Sequence, residues 1–405
     1  MSYTLLTFPG DYYSAHGDAI YVVYDDVRPA DTTNYTNYRY ICDVFINGSA
    51  LRVATLRKVP QPGTNLGIFN IGDIIRNYVA AVFNPAANTL VCQETGSGEF
   101  FVSVVCKFSA EFYYHNNYAT DPTDYPGHYF ITGDARILFN HYNGRLIGNN
   151  TSLNACINKV ASNRPQLNYI NAGAAYSFLP YFPTSSTGVA IQVNAYAGTT
   201  LQGTYNGTIT PFAANNLQIL NAAPAAVNNA AATTLINAAT THYTMQVNGG
   251  TVYTFKLTCE AVYNNYTIHF LNQYGGFESR DFTKLSRKAV TITKTDFGKL
   301  PYTIAADGTV SYFNATTKVY NETRSTYASQ YTEKMTLNTD IITDEEYTWL
   351  GDLVLSPLVY IEIGGYFIPV AVTATNYEYR KRINDKLTNL QLDVAFGDQF
   401  NAQYR

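Results

Sequence analysis

Tyr40-Ile41-Cys42-Asp43-Val44-Phe45-Ile46-Asn47-Gly48, followed after two residues by Leu51 to Val59, decides the fold class of this chain. Tyr40, Cys42, Val44 and Ile46 recur at every second position, which places them on one face of a strand. Asn47-Gly48 then supplies the two positive-φ positions of a tight hairpin turn. Leu51 to Val59 is the return strand. It stops at Pro60-Gln61-Pro62-Gly63, where the prolines remove ladder donors and the glycine permits a reversal.

The same period recurs along the chain. Phe100, Val102, Val104, Cys106 and Phe108 alternate ahead of the aromatic run Phe112-Tyr113-Tyr114. Tyr253, Phe255, Leu257, Cys259 and Ala261 oppose Thr254, Lys256, Thr258 and Glu260, the pattern of a half-buried antiparallel strand. Tyr266 to Leu271 repeats it and runs toward a reversal at Gly275-Gly276, and a third strand is expected over Ala289 to Thr295. Near the end, Leu358 to Ile363, a Gly364-Gly365 turn and Tyr366 to Val372 precede a last hairpin through Tyr377-Glu378-Tyr379 and Leu387 to Val394.

Two helices interrupt this pattern. Ile71, Ile74, Ile75, Tyr78, Val79 and Val82 make one apolar stripe at helical spacing, with Asn70 as the expected N-cap, Asp73 near the positive end of the dipole, and Pro85 ending the run. Thr343 and Glu346 form a capping box ahead of Tyr347, Leu350, Leu353 and Val354, and Ser356-Pro357 stops that helix. The expectation is a mainly β, multi-domain chain of antiparallel β-sandwich or meander modules with a few short helices.

Composition shifts suggest five segments. Residues 1–115 read as a β-rich domain with one helix, 116–161 as an aromatic, turn-rich connector, and 162–250 as an inserted Ala/Asn/Thr-rich lobe of short strands and long loops. Residues 251–335 read as a further β-domain and 336–405 as a helix with a β-meander. For 162–250 the competing reading is a flexible polar linker, because patches such as Ala222-Ala223-Pro224-Ala225-Ala226 and Asn228-Asn229-Ala230-Ala231-Ala232 carry no charge.

The chain holds 36 Tyr, more than its 26 Lys and Arg or its 30 Asp and Glu, and only 14% of its residues are charged. Typical domains carry ~25%. Neutral polar residues have replaced charge, and Tyr combines apolar ring area with a hydroxyl that still finds a partner. This suits broad contact surfaces, although Tyr is also a favoured strand residue. A net charge of -4, with no basic run longer than Arg380-Lys381-Arg382, argues against nucleic acid as a partner. That triplet lies beside Asn384-Asp385-Lys386 and reads as a hairpin tip. No apolar run of ~18 residues is present, so membrane insertion through a helix is not expected.

Cys42, Cys92, Cys106, Cys156 and Cys259 are odd in number and lack CxxC spacing. They read as reduced core residues. Met1 to Asp11 has neither a basic n-region nor an apolar core, so no secretion signal is expected and the chain should fold in a reducing compartment. The Asn-x-Ser/Thr triplets at Asn47, Asn206 and Asn314 then follow from composition.

Residues suited to catalysis do not assemble into a motif. His16, His115, His128, His141, His242 and His269 show no metal-ligand spacing. Asp121, Asp124 and His128 are the nearest grouping, set among prolines and Gly127, and read as an Asx-turn loop. Asp25-Asp26 and Glu345-Glu346 pair in sequence only; the second pair sits in a helix's first turn. Gly96-Ser97-Gly98 leads into a strand, where a phosphate loop would open a helix. There is no GxSxG elbow or Walker loop. No catalytic, cofactor-binding or metal-binding residue is assigned, no cofactor is expected, and the chain reads as a non-enzyme.

Three stretches carry a family resemblance: Gly67-Ile68-Phe69-Asn70-Ile71-Gly72-Asp73-Ile74-Ile75-Arg76-Asn77-Tyr78-Val79; Phe270-Leu271-Asn272-Gln273-Tyr274-Gly275-Gly276-Phe277-Glu278 with Lys284-Leu285-Ser286-Arg287-Lys288; and Ser356-Pro357-Leu358-Val359-Tyr360-Ile361 through Phe367-Ile368-Pro369-Val370. Together they resemble structural proteins encoded by tailed phages and prophages of Bacteroidota hosts. The likeness spans the N-terminal domain and the region after Thr251 but not the Ala/Asn-rich middle. It implies a virion protein of the tail, baseplate or tail tip, assembled in the bacterial cytoplasm into rings with copies of itself and other virion proteins. It supplies no active-site residues.

Three alternatives stand beside it. A receptor-binding adhesin would stack exposed Tyr on host surface glycan, with Trp349 as a further candidate, although Trp349 lies within the capped helix and reads as core. An outer-membrane barrel explains the alternation but not the two helices or the missing leader. A depolymerase would need paired acids from distant strands, and no pair is selected by the sequence.

Overall fold

The computed structural model describes residues 4–7, 12–14, 18–46, 51–78, 81–94, 101–115, 117–120, 129–138, 158–183, 188–209, 217–258, 263–373, 388–397 and 400–404. Strand dominates them, with three helices in all. The chain divides into two compact units. The first comprises Met1–Glu260, His269–Asp281 and Thr348–Leu358, and the second Ala261–Ile268, Phe282–Tyr347 and Val359–Arg405.

The first unit opens with β1 (Thr4–Thr7), β2 (Tyr12–Ser14), β3 (Ile20–Tyr24), β4 (Tyr35–Ile46), β5 (Arg52–Lys58), β6 (Leu66–Asn70) and α1 (Gly72–Arg76). They are followed by β7 (Val91–Glu94), β8 (Phe101–Tyr114), β9 (Asn117–Thr120) and β10 (Tyr129–Leu138). An antiparallel sheet in the order β1-β3-β6 and a larger one in the order β2-β10-β8-β4-β5, with β9 on β8, share one core. The decisive hairpin is present: β4 pairs antiparallel with β5, from Tyr40 opposite Lys58 to Phe45 opposite Arg52. Tyr40, Cys42, Val44 and Ile46 are all buried, as the alternation requires, against Tyr21, Val23, Phe69, Val104 and Phe108. Asn47-Gly48 itself lies outside the described residues. A glycine is needed at position 67, because a Cβ there would stand 2.6 Å from Tyr40 Cδ2.

The first helix is shorter than its stripe suggests. α1 covers only Gly72–Arg76, Ile71 occupies the N-cap position, and Tyr78 and Val82 are exposed. Asn70 is the last residue of β6, and its Oδ1 accepts a hydrogen bond from Gly72 N at 3.0 Å. Ile71 and Ile75 reach the core, and residues 81–86 lie in no regular secondary structure. Gln93 ties down that non-helical stretch: its Nε2 donates to Val82 O at 2.6 Å and its Oε1 accepts from Asn84 N at 3.1 Å. Pro85 reinforces it by disfavouring a helical conformation at Asn84.

The described residues between 162 and 250 hold short strands, as the lobe reading expects, and these pair into sheets, unlike a flexible linker. They supply β11 (Leu167–Asn171), β12 (Phe178–Tyr181), β13 (Val189–Ala197), β14 (Thr200–Ile209), β15 (Gln218–Asn221), α2 (Pro224–Ala231) and β16 (His242–Val247), and β17 (Val252–Thr258) follows. Five strands pair in the order β11-β17-β16-β13-β14, and a second sheet runs β12-β15-β7. Thus the boundary expected at 250/251 falls between two paired strands, β16 and β17. The Ala-rich patch is helical: Pro224 stands in its first turn, where a proline costs no hydrogen bond, and Ala232 at φ 52° ends it. Ala222, Ala223 and Val227 pack in one core with Ile191, Val193, Tyr243, Met245 and Phe255, and Ala226 is buried as well. Small side chains here permit close packing, which composition alone presents as an uncommitted surface.

β18 (Tyr266–Leu271) and β19 (Phe277–Phe282) flank the Gly275 turn, whose φ is +82°. β18 is buried on both faces after its first residue, rather than half-buried. The second unit contributes β20 (Arg287–Gly298), β21 (Thr303–Ile304), β22 (Val310–Ser311) and β23 (Arg324–Ile342), then α3 (Asp344–Leu355), which continues into the first unit. β24 (Val359–Ile363), β25 (Tyr366–Val372), β26 (Thr388–Phe396) and β27 (Phe400–Tyr404) complete the chain. The run β24-β25-β26-β23-β20 is antiparallel throughout, with β27 also on β23. Its buried face holds Met335, Leu337, Ile361, Leu392 and Val394. The capping box at α3 forms reciprocally: Glu346 N donates to Thr343 Oγ1 at 3.2 Å, and Thr343 N to Glu346 Oε2 at 3.1 Å.

Candidate interaction surface

β20 and β23 run past the rest of the sheet as an arm, since β26 borders β23 only from Lys334 onward. The pairing is continuous from Arg287 opposite Thr336 to Gly298 opposite Arg324, with one bulge at Thr295/Asp296. β27 accompanies β23 only between Ala328 and Tyr331. Beyond that point β20 is the one strand paired with β23 among the described residues. A twelve-residue strand extends ~40 Å.

The arm is exposed on both faces. Between residues 287 and 334 only Ser325 is buried. Direct opposition puts Val290 and Ile292 on one face with Glu333 and Tyr331, while Thr291 and Thr293 share the other with Thr332 and Gln330. Ile292 is 60% exposed. The apolar character continues to the tip through Phe297, Leu300, Ile304, Val310, Tyr312, Phe313, Val319 and Tyr320, all exposed, the last at 72%. Monomeric proteins seldom leave so continuous an apolar surface in water.

Local chemistry nevertheless builds the tip. Phe313 bridges Tyr320 with ring centroids 5.4 Å apart, and Tyr302 meets Tyr312 edge-on at 6.0 Å. Lys299 pairs with Glu322 at 3.2 Å and Arg324 with Asp296 at 2.7 Å. Gly308 at φ +84° closes the β21–β22 turn, where Asp307 Oδ1 accepts from Thr309 N. Asn314, one of the Asn-x-Ser/Thr asparagines, makes an Asx turn to Thr316 N and Thr317 N. Electrostatically the arm differs from the rest: residues 287–334 hold seven Lys and Arg against four Asp and Glu, a net of +3. The whole chain is -4, which leaves -7 outside the arm.

At the base of the arm a shallow groove is lined by Lys284, Leu285, Arg287, Thr336, Asn338 and Gln391. Much of its polarity is already engaged. Lys284 pairs with Asp340 at 3.3 Å, Asn338 Nδ2 donates to Leu285 O, and Thr336 Oγ1 donates to Asp393.

The first unit contains a buried polar node that the sequence does not announce. β19 reads Phe-Glu-Ser-Arg-Asp-Phe, yet all but Asp281 are buried. Glu278 is wholly enclosed and accepts a hydrogen bond from Trp349 Nε1 of α3. Burial raises the Glu278 carboxyl above its ordinary range, opposed by hydrogen bonds from Ser162, Trp349 and Asn272 and by the Arg164 charge. Arg164 is itself buried; desolvation lowers its pKa, while its guanidinium lies 5.0 Å over the Trp349 ring and its Nη1 donates to Phe178 O. Asp352, one turn along α3, is pushed up to about 7 by burial and then by Glu278. These are two acids from distant segments, but Glu278 is closed off from solvent by its neighbours, so the node braces the fold.

The remaining sequence candidates occupy structural places. His269 sits among Phe83, Phe178 and Tyr176, with Ser279 Oγ 2.9 Å from its Nδ1. His242 stacks on Tyr196 at 4.9 Å, and His115 occupies a turn at φ 46°. Asp25 is buried and accepts from Arg28 Nε at 2.8 Å and Tyr38 Oη at 2.9 Å, whereas Asp26 is exposed. Trp349 is core, at 1% exposure. Asp121, Asp124, His128, His16, His141 and the basic triplet at 380–382 lie outside the described residues. Cys42, Cys92 and Cys106 are free and buried; Cys156 and Cys259 are outside the described residues. Among the described residues no three His, Cys, Asp or Glu are grouped to hold a metal, and no helix is long and apolar enough to cross a membrane.

Neither a family model nor any curated protein matches the chain.

Proposed function

We propose that this chain is a non-enzymatic structural protein of a phage virion, a tail, baseplate or tail-tip component that assembles with copies of itself and other virion proteins. The observation that carries the reading is the β20–β23 arm, a folded extension whose Val290, Ile292, Leu300, Ile304, Val319 and Tyr320 are exposed among the described residues. Such surface is stable in water when another protein covers it. The charge-poor, Tyr-rich composition suits the same role, because neutral polar groups cost less than charges to bury at an interface. The resemblance to structural proteins of Bacteroidota phages supplies the setting.

The test is to locate the chain in particles. An affinity-tagged copy expressed during phage propagation should co-purify with intact virions, and gold labelling should mark one defined level of the tail. Purified particles that lack the chain altogether would overturn the assignment. The adhesin reading draws on exposed tyrosines such as Tyr114 and Tyr169, whose rings could stack on sugar. It requires binding on a glycan array that is lost when tyrosines in the loops between residues 113 and 250 are changed to Ala.

A further inference from the structure

We propose that residues 287–334 are a docking arm that lies on the body of a second copy of this chain, joining copies head to tail. This rests on the assembly reading above and specifies its contact. Size, charge and strand pairing argue for it together. A standard interface uses ~20–30 residues a side, and the arm offers 48 positions of which a single one, Ser325, is buried. An isolated two-stranded hairpin is marginal in water, so an arm where, among the described residues beyond Ala328, β23 pairs with β20 alone and only the short β21–β22 pair follows gains stability from a surface to rest on.

Charge selects that surface. The arm carries +3 and the rest of the chain -7. Arm against arm would bring like charges together, whereas arm against body brings opposite ones. The apolar contact comes chiefly from the exposed tip residues Leu300, Ile304, Val319 and Tyr320, continued by the Val290, Ile292 and Tyr331 face, and Lys294, Lys299 and Lys318 stand along the same extension. A contact between two different patches is heterologous, so repetition yields a ring where the rotation closes and a filament where it does not.

Three forms of the full chain test this. In the first, residues 299–323 are replaced by Asn-Gly, a turn that fits because Gly298 and Arg324 are register partners. In the second, Lys294→Glu, Lys299→Glu and Lys318→Glu reverse the arm's charge and leave its apolar residues in place. The third carries a photoreactive benzoylphenylalanine at Tyr320. Light scattering after size exclusion should find the unaltered chain above monomer mass and the first two variants at monomer mass, with unchanged far-UV circular dichroism. Crosslinks from position 320 should reach peptides outside 287–334 in another copy. An unaltered chain that is monomeric at all concentrations overturns the assembly reading and this one together. Oligomers that survive both arm variants overturn the arm alone. Crosslinks that join arm to arm, or that in assembled particles reach only a different protein, overturn the head-to-tail contact.

Discussion

Trp349 Nε1 donates its hydrogen bond to Glu278, bringing together a helix and a strand 71 residues apart in sequence. Both residues are buried, so the bond has no water to replace it. Trp349→Phe leaves a buried acceptor short of a donor, and the expected loss is ~1–3 kcal/mol. Urea unfolding of Trp349→Phe, Glu278→Gln and the double variant measures the coupling directly. Strict additivity of the two single losses would show that the bond contributes nothing.

Asp352 makes stability depend on pH. Its pKa is raised to about 7 in the fold by burial and by Glu278, against ~3.9 in an unfolded chain. The folded state therefore holds a proton that the unfolded state releases. This contribution is fully present below the unfolded value and is lost as pH rises through about 7. Melting temperatures of the unaltered chain and Asp352→Asn should diverge between about pH 5 and about pH 8, with the variant gaining relative stability at the higher value. Parallel profiles would exclude the effect.

Thr343 and Glu346 cap α3 reciprocally. Thr343→Ala removes one acceptor and should cost ~1 kcal/mol, while Thr343→Ser, which keeps the hydroxyl, should restore most of it. Chemical denaturation midpoints of the three proteins provide the check; equal losses for Ala and Ser would assign the effect to the methyl group instead.

Gly67 lies against the ring of Tyr40, whose hydroxyl donates to Asn65 O at 2.6 Å. Because the ring is anchored at its far end and packed at Tyr38, a Cβ at position 67 has nowhere to go. Gly67→Ala should destabilise the N-terminal core by ~1–3 kcal/mol, seen as a lower melting temperature. An unchanged value would mean that Tyr40 moves freely.

Much of the fold was legible where local chemistry and packing agree. The β4–β5 pair, the α3 capping box and the Gly364-Gly365 turn follow from residues adjacent in sequence. Asn248-Gly249, with φ of 51° and 67°, joins β16 to β17 by the same dipeptide that marks Asn47-Gly48. It ties the Ala/Asn-rich middle to the strand after Thr251. The length of α1 was not legible, because the side chain of Gln93, on a strand beyond the stripe, hydrogen-bonds the backbone of Val82 and Asn84 outside any helix. Nor was the buried node, since Glu278, Ser279, Arg280 and Asp281 are consecutive polar residues and their cover comes from Ser162, Arg164 and Trp349 in other segments.

The sequence by itself determined a charge-poor, antiparallel β chain, because a period of two, a positive-φ turn dipeptide and a helix cap are properties of neighbouring residues. Which of those strands would be covered was left to tertiary structure. β18 and β20 both alternate in sequence, yet one is buried on both faces and the other exposed on both. Burial is set by what packs across a strand from distant parts of the chain, and period alone cannot say whether anything arrives.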